Sequence, residues 1–123
     1  MYLFKWKGQI VGKNKKVKTN RKGNYYNSKE YERLKAEITY EMIRQNKSPI
    51  ITEDVIVRII FTISRSRDID SGLSLICDCL QLAKVIKNDN RIIQLKIDKE
   101  IKRHIEHYDE IFVSVRKVFN DGN

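Results

Sequence analysis

Eleven residues, Asp54 to Ser64, constrain the fold more than any other part of the chain. Val55, Val57, Ile59, Phe61 and Ile63 fall on one side of an extended segment without interruption, while Ile56, Arg58, Ile60 and Thr62 share the other. A period of two with this many β-branched residues marks the central strand of a sheet, packed on one face and mixed on the other. The chain then changes character at Arg65-Ser66-Arg67-Asp68-Ile69-Asp70 and enters an apolar run at helical spacing. Leu73, Ile76, Cys77, Leu80 and Ala83 form one stripe of that helix, and Leu75, Cys79, Leu82 and Ile86 form a second. Two stripes bury more than a surface helix needs, so the second can face another subunit.

The remaining elements follow from periodicity. Tyr2, Phe4 and Trp6 alternate with Leu3, Lys5 and Lys7, a short strand with an aromatic face. Ser28 can cap a helix from Lys29, along which Tyr31, Leu34, Ile38 and Met42 recur until Asn46-Lys47-Ser48-Pro49 ends it. Ile93, Leu95 and Ile97 alternate again between Arg91 and Lys99, as do Ile111, Val113 and Val115 nearer the end. The expected order is therefore β-α-β-α-β-β, an α+β fold with a mixed sheet covered by two helices and the last two strands antiparallel. A length of 123 residues suits one core, so residues 1–123 are expected to form a single domain.

Charge is placed unevenly. The chain carries a net charge of +9, yet residues 1–35 hold eleven Lys and Arg against Glu30 and Glu32, and the rest of the chain holds fourteen of each sign. The excess thus lies in the N-terminal third, concentrated in a basic loop over residues 12–28. Lys13, Lys15, Lys16, Lys18, Arg21 and Lys22 stand there beside Tyr25 and Tyr26. Such a run cannot bury itself and should be a mobile loop or loose hairpin. It is either a solvated segment or a surface for phosphates and exposed bases, since tyrosines among cations suit both groups of a nucleic acid. No amphipathic anchor accompanies it, which favours nucleic acid over an anionic membrane.

No apolar run approaches a membrane span, and the start Met-Tyr-Leu-Phe-Lys-Trp-Lys is unlike a signal peptide, so a cytoplasmic, intracellular protein is expected. Cys77 and Cys79 agree with that compartment. Positions i and i+2 of a helix do not face each other, so inert thiols are expected rather than a disulfide or a joint metal site. His104 and His107 have no third ligand nearby and read as surface residues.

Asp68 and Asp70 follow the central strand, and Asp89 follows the helix, so the three carboxylates could meet at one edge of the sheet. Two or three carboxylates suffice for a small hard cation that keeps several waters. Arg65 and Arg67 beside them favour phosphate as the other ligand. Each acid also has an ordinary explanation to consider. Asp70 suits the N-cap of the helix from Ser71, and Asp89 in Lys-Asn-Asp-Asn-Arg suits a turn, whereas Asp68 has no comparable role. Metal-dependent phosphodiester hydrolysis explains the three jointly.

Arg67-Asp68-Ile69-Asp70, the apolar helix containing Asp78 and the turn Asn88-Asp89 resemble the RusA family of Holliday junction resolvases. The family pattern is an Arg-Asp-x-Asp-Asn box, a Lys three residues on, an Asp one helical turn later and an Asp-Asp pair after the helix. The resemblance implies a Mg²⁺-dependent endonuclease, with Mn²⁺ as a substitute, that acts as a homodimer on branched DNA such as a four-way junction. It assigns Asp68, Asp70 and Asp89 to metal binding and catalysis and Arg67 to the basic position before them. Three positions depart from the pattern: Ser71 replaces Asn, Ser74 replaces Lys and Asn88 replaces the first Asp of the pair. Loss of the Lys matters most, because serine supplies only a hydroxyl; Lys87 or Arg91 could provide the charge instead.

Overall fold

The computed structural model describes residues 1–8, 10, 17–19, 25–27, 29–63, 71–102 and 108–118. Strand β1 (Tyr2–Gly8) leads to a small antiparallel hairpin of β2 (Val17–Thr19) and β3 (Tyr25–Asn27), then helix α1 (Lys29–Gln45) and strand β4 (Val55–Ile63). Helix α2 (Ser71–Leu82) and a 3₁₀ turn (Asp89–Arg91) precede β5 (Ile92–Ile101) and β6 (Asp109–Lys117). Apart from the hairpin, this is the expected β-α-β-α-β-β order.

The four long strands form one mixed sheet in the order β1-β6-β4-β5. β4 is antiparallel to β6 and parallel to β5, and β6 is antiparallel to β1. β5 and β6 therefore run in opposite directions, but β4 separates them. Two hydrogen-bonded neighbours and an almost continuous apolar face make β4 the centre of the sheet, as its sequence requires.

One face of the sheet carries the core. Tyr2, Phe4 and Trp6 of β1, alternate residues of β4 from Val55 to Ile63, and Ile111, Val113 and Val115 of β6 are buried beneath the helices. Tyr31, Leu34, Ile38 and Met42 of α1 close over them, the four residues that recur at helical spacing. In α2, Leu75, Ile76, Cys79 and Leu80 are all buried. The second stripe therefore packs largely within the chain, against α1: the Cys79 thiol lies 3.5 Å from the Lys35 carbonyl, and Lys35 Nζ stands 3.9 Å from the Asp78 carboxylate. Only Leu82 of this stripe is strongly exposed. Asp78 thus links α2 to α1 through Lys35.

Close approach of α2 to the sheet depends on Gly72. A Cβ there would lie 2.6 Å from the Phe61 ring, which is itself buried. At the other end of α2 the chain turns through Lys84 in a left-handed conformation, φ 58°. Val85 N–H donates to the Leu80 carbonyl at 2.9 Å, and Ile86 then forms a parallel bridge with Ile51. No helix of the described residues is long and apolar enough to cross a membrane.

Candidate active site

The direction of α2 decides where the acids can stand. Gly72, near its start, lies over Phe61 towards the C-terminal end of β4, while Ile92, at the start of β5, pairs with Val55 at the N-terminal end. α2 therefore runs back along β4, as a crossover between parallel strands must. The six residue steps from Val55 to Phe61 span about 20 Å at 3.3 Å per residue.

Asp89 sits at the Val55 end. Its backbone N–H donates to Gln81 Oε1 at 3.2 Å, and the 3₁₀ turn is closed by Asn88, whose Oδ1 accepts from Asn90 N–H at 3.0 Å. Asn88, one of the departures from the family pattern, is thus the cap of this turn. The Asp89 side chain is left exposed, and among the described residues no cation pairs with its carboxylate. Its negative charge, with that of Asp78, adds to burial in pushing the Cys77 thiol above its ordinary pKa.

Asp68, Asp70, Arg65 and Arg67 lie outside the described residues, between Ile63 and Ser71. Both of those flanking residues belong to the opposite end of β4. Among the described residues no three of His, Cys, Asp and Glu come together as a metal site. The donor set nevertheless has the right chemistry: carboxylate oxygens are the ligands a small hard cation prefers, and that of Asp89 faces solvent on a turn held by side-chain bonds.

The two candidate replacement cations differ. Arg91 is committed to the end of β4, with Nε 3.3 Å from Asp54 Oδ1 and 3.2 Å from the Thr52 carbonyl. Lys87 is held only through its backbone, which donates to Ile51 O at 3.0 Å; its side chain is exposed and makes no ion pair among the described residues. Ser74, at the position where the family has Lys, is exposed on the first turns of α2 beside the Tyr31 hydroxyl of α1, whose pKa burial raises, an effect Ser74 partly offsets.

Of the basic loop, β2 and β3 are described. Lys18 is the partner of Tyr26 in their antiparallel register, flanked by Val17 with Asn27 and Thr19 with Tyr25. A cation and an aromatic residue are therefore cross-strand partners in the hairpin expected there. Lys13, Lys15, Lys16, Arg21 and Lys22 lie outside the described residues, as do His104 and His107.

The sequence reading missed the hydrogen bonds that fix the Asp89 turn. Asn-Asp-Asn signals a turn, but the partnership of Gln81 with Asp89 depends on how α2 and the turn pack, which spacing alone does not give.

No curated protein matches the chain. The profile of the family described as endodeoxyribonuclease RusA matches residues 7–116. That span runs from the end of β1 to the end of β6 and contains both helices, all three acids and the basic hairpin, and the chain accordingly belongs to the RusA endodeoxyribonuclease family.

Proposed function

We propose that this protein is a Mg²⁺-dependent endonuclease that resolves four-way DNA junctions by paired phosphodiester cleavage, in recombination and repair, working as a homodimer. Membership of an endodeoxyribonuclease family over residues 7–116 carries this reading. The exposed Asp89 carboxylate, the cationic loop and the cross-strand Lys18 and Tyr26 pair all support it. Asp68 and Asp70 of one copy with Asp89 of the other would hold Mg²⁺ across the dimer, since within one chain Asp89 stands at the far end of α2 from Ser71; the metal would polarise the phosphate and lower the pKa of a coordinated water. The chain's own contribution is positional. Gln81 and Asn88 hold the Asp89 turn, and Lys13, Lys15, Lys16, Lys18, Arg21, Lys22, Arg65 and Arg67 would neutralise and orient the DNA backbone. Two equivalent cleavage points of a four-way junction suit a two-fold dimer.

One observation favours a second reading. Ser74 replaces the family's Lys, so a hydroxyl and no cation stands at that position. A branched-DNA-binding protein without cleavage would tolerate this change. Lys87, exposed two residues before Asp89, is the available substitute on the catalytic reading.

The test is incubation of labelled four-way junction and linear duplex with the protein, with and without Mg²⁺. Symmetrical cuts in the junction alone, only when metal is present, are expected. Binding of the junction with no cleavage in Mg²⁺ or Mn²⁺ would leave the binding-only reading in its place.

A further inference from the structure

The two edges of the sheet are treated differently. At the β1 edge, Gln45 at the end of α1 occupies the outward backbone groups: Lys5 N–H donates to its Oε1 at 3.2 Å, and its Nε2 donates to the Lys5 carbonyl at 2.9 Å. A side-chain amide thus copies a strand partner at Lys5, in the middle of that edge. The β5 edge has no such cover among the described residues, where β5 pairs only with β4. It is also the longest strand, ten residues, and Ile93, Leu95, Ile97 and Ile101 on it remain 57%, 36%, 40% and 37% exposed. Leu95, Ile97 and Ile101 pair with Val57, Ile59 and Ile63, so they continue the core face beyond the cover of the helices. A long open edge with apolar residues invites another strand.

From its charge pattern we infer that this edge is where a second copy of the chain docks, β5 against β5 in antiparallel register with the two-fold axis at Ile97. The inference rests on the homodimer reading above and names its interface. In a chain of +9, β5 is neutral, with Lys96 and Lys99 against Asp98 and Glu100, so two copies meet there without the repulsion that their net charge imposes elsewhere.

Register follows from the same residues. An axis perpendicular to the sheet at Ile97 places Ile97 opposite its own copy and Lys96 opposite the second copy's Asp98 on the open face, twice by symmetry. Leu95 meets the aliphatic stem of Lys99, and Ile93 comes to Ile101. Moving the axis to residue 96 opposes Lys96 to itself, moving it to 98 sets Lys96 against Glu100 but opposes Asp98 to itself, and moving it to 95 forms no ion pair. Asp98 already accepts from Arg58 Nη2 at 3.3 Å, so Lys96 of the other copy would complete a three-charge cluster. Opposite charges in direct cross-strand register are favourable and like charges are not.

The experiment reads association alone, without DNA or metal, so its failure is distinguishable from failure of the nuclease reading. Wild type is expected to sediment as a dimer at micromolar concentration. Lys96→Glu and Asp98→Lys should each weaken self-association about tenfold or more. Mixing the two variants should restore a dimer, because the glutamate introduced in one copy then faces the lysine introduced in the other, and the unaltered Asp98 and Lys96 face each other as before. Circular dichroism checks that both variants fold. Ile97→Cys should form a symmetric disulfide under mild oxidation, since directly opposed antiparallel residues lie within disulfide range, while Leu95→Cys should not. A monomeric wild type overturns the inference. So does a dimer indifferent to both charge reversals, which would place the interface on another face, or a crosslink at Leu95→Cys and none at Ile97→Cys.

Discussion

Individual side chains report their surroundings most directly through their protons. Burial pushes the Cys79 thiol from 9.0 up to about 11, and it also raises Cys77, with help from Asp89 and Asp78. Both thiols should therefore react slowly with a thiol reagent at pH 8, Cys79 about a hundredfold more slowly than an unperturbed cysteine, because only the thiolate attacks. The same shift has a sign for stability. A group whose pKa is higher when folded than when unfolded contributes stability that is intact below the unfolded value and lost as pH rises towards the folded one. Burial raises the Tyr2 hydroxyl in the same direction. Denaturant midpoints should thus decline between about pH 9 and 11, and a midpoint constant over that range would contradict the burial of Cys79. Lys84 offers a second residue-level test. Its left-handed backbone, φ 58°, suits glycine better than any residue with a Cβ, so Lys84→Gly should be neutral or raise stability by up to about 1 kcal/mol in urea unfolding.

At the scale of elements, the closest contact between α2 and the sheet is the sharpest target. A methyl at Gly72 would meet the buried Phe61 ring at 2.6 Å, and that ring has no solvent-side space to yield into. Gly72→Ala should destabilise by about 1–3 kcal/mol, seen as a lower denaturant midpoint with an unchanged slope. The elements themselves were legible in the sequence. Tyr31, Leu34, Ile38 and Met42 are all buried in α1, and the alternation of β4 and β6 matches their buried faces, because period alone sets which side a residue takes. What period does not contain is partnership. The alternation of Ile93, Leu95 and Ile97 reads as a half-covered strand, yet β5 is an edge with those residues exposed. Likewise, the second stripe of α2 reads as a face for another subunit, but α1 covers most of it, with Lys35 drawn to Asp78 across the helices.

For the whole molecule, topology governs the site. The sequence shows three acids and the turn that carries one of them, but not that β5 runs parallel to β4. That direction places Asp89 by Val55, about 26 Å of strand from the end at which β4 leaves through Ile63. Strand direction follows from long-range pairing, which local spacing cannot encode. The charge asymmetry, by contrast, was fully legible, and it makes a prediction about DNA. Replacing Lys13, Lys15, Lys16 and Lys18 with Ala should weaken junction binding and flatten its salt dependence, each lost phosphate contact removing about 0.9 from the slope of log K against log salt. An unchanged slope would mark the segment as merely solvated.

The most direct measurement joins binding and cleavage of a four-way junction in one titration with Mg²⁺, for wild type and for Asp68→Asn, Asp70→Asn and Asp89→Asn. Asparagine keeps the size of the side chain and some turn-forming capacity, so the fold should survive while the negative ligand is lost. Binding should persist or strengthen in the variants, because a carboxylate removed from a phosphate site no longer repels it when metal is absent. The expected result is that wild type binds and cuts, whereas each variant binds and does not cut. Cleavage retained at the wild-type rate in the Asp89→Asn variant, or no cleavage by wild type under conditions where it binds, would contradict the account.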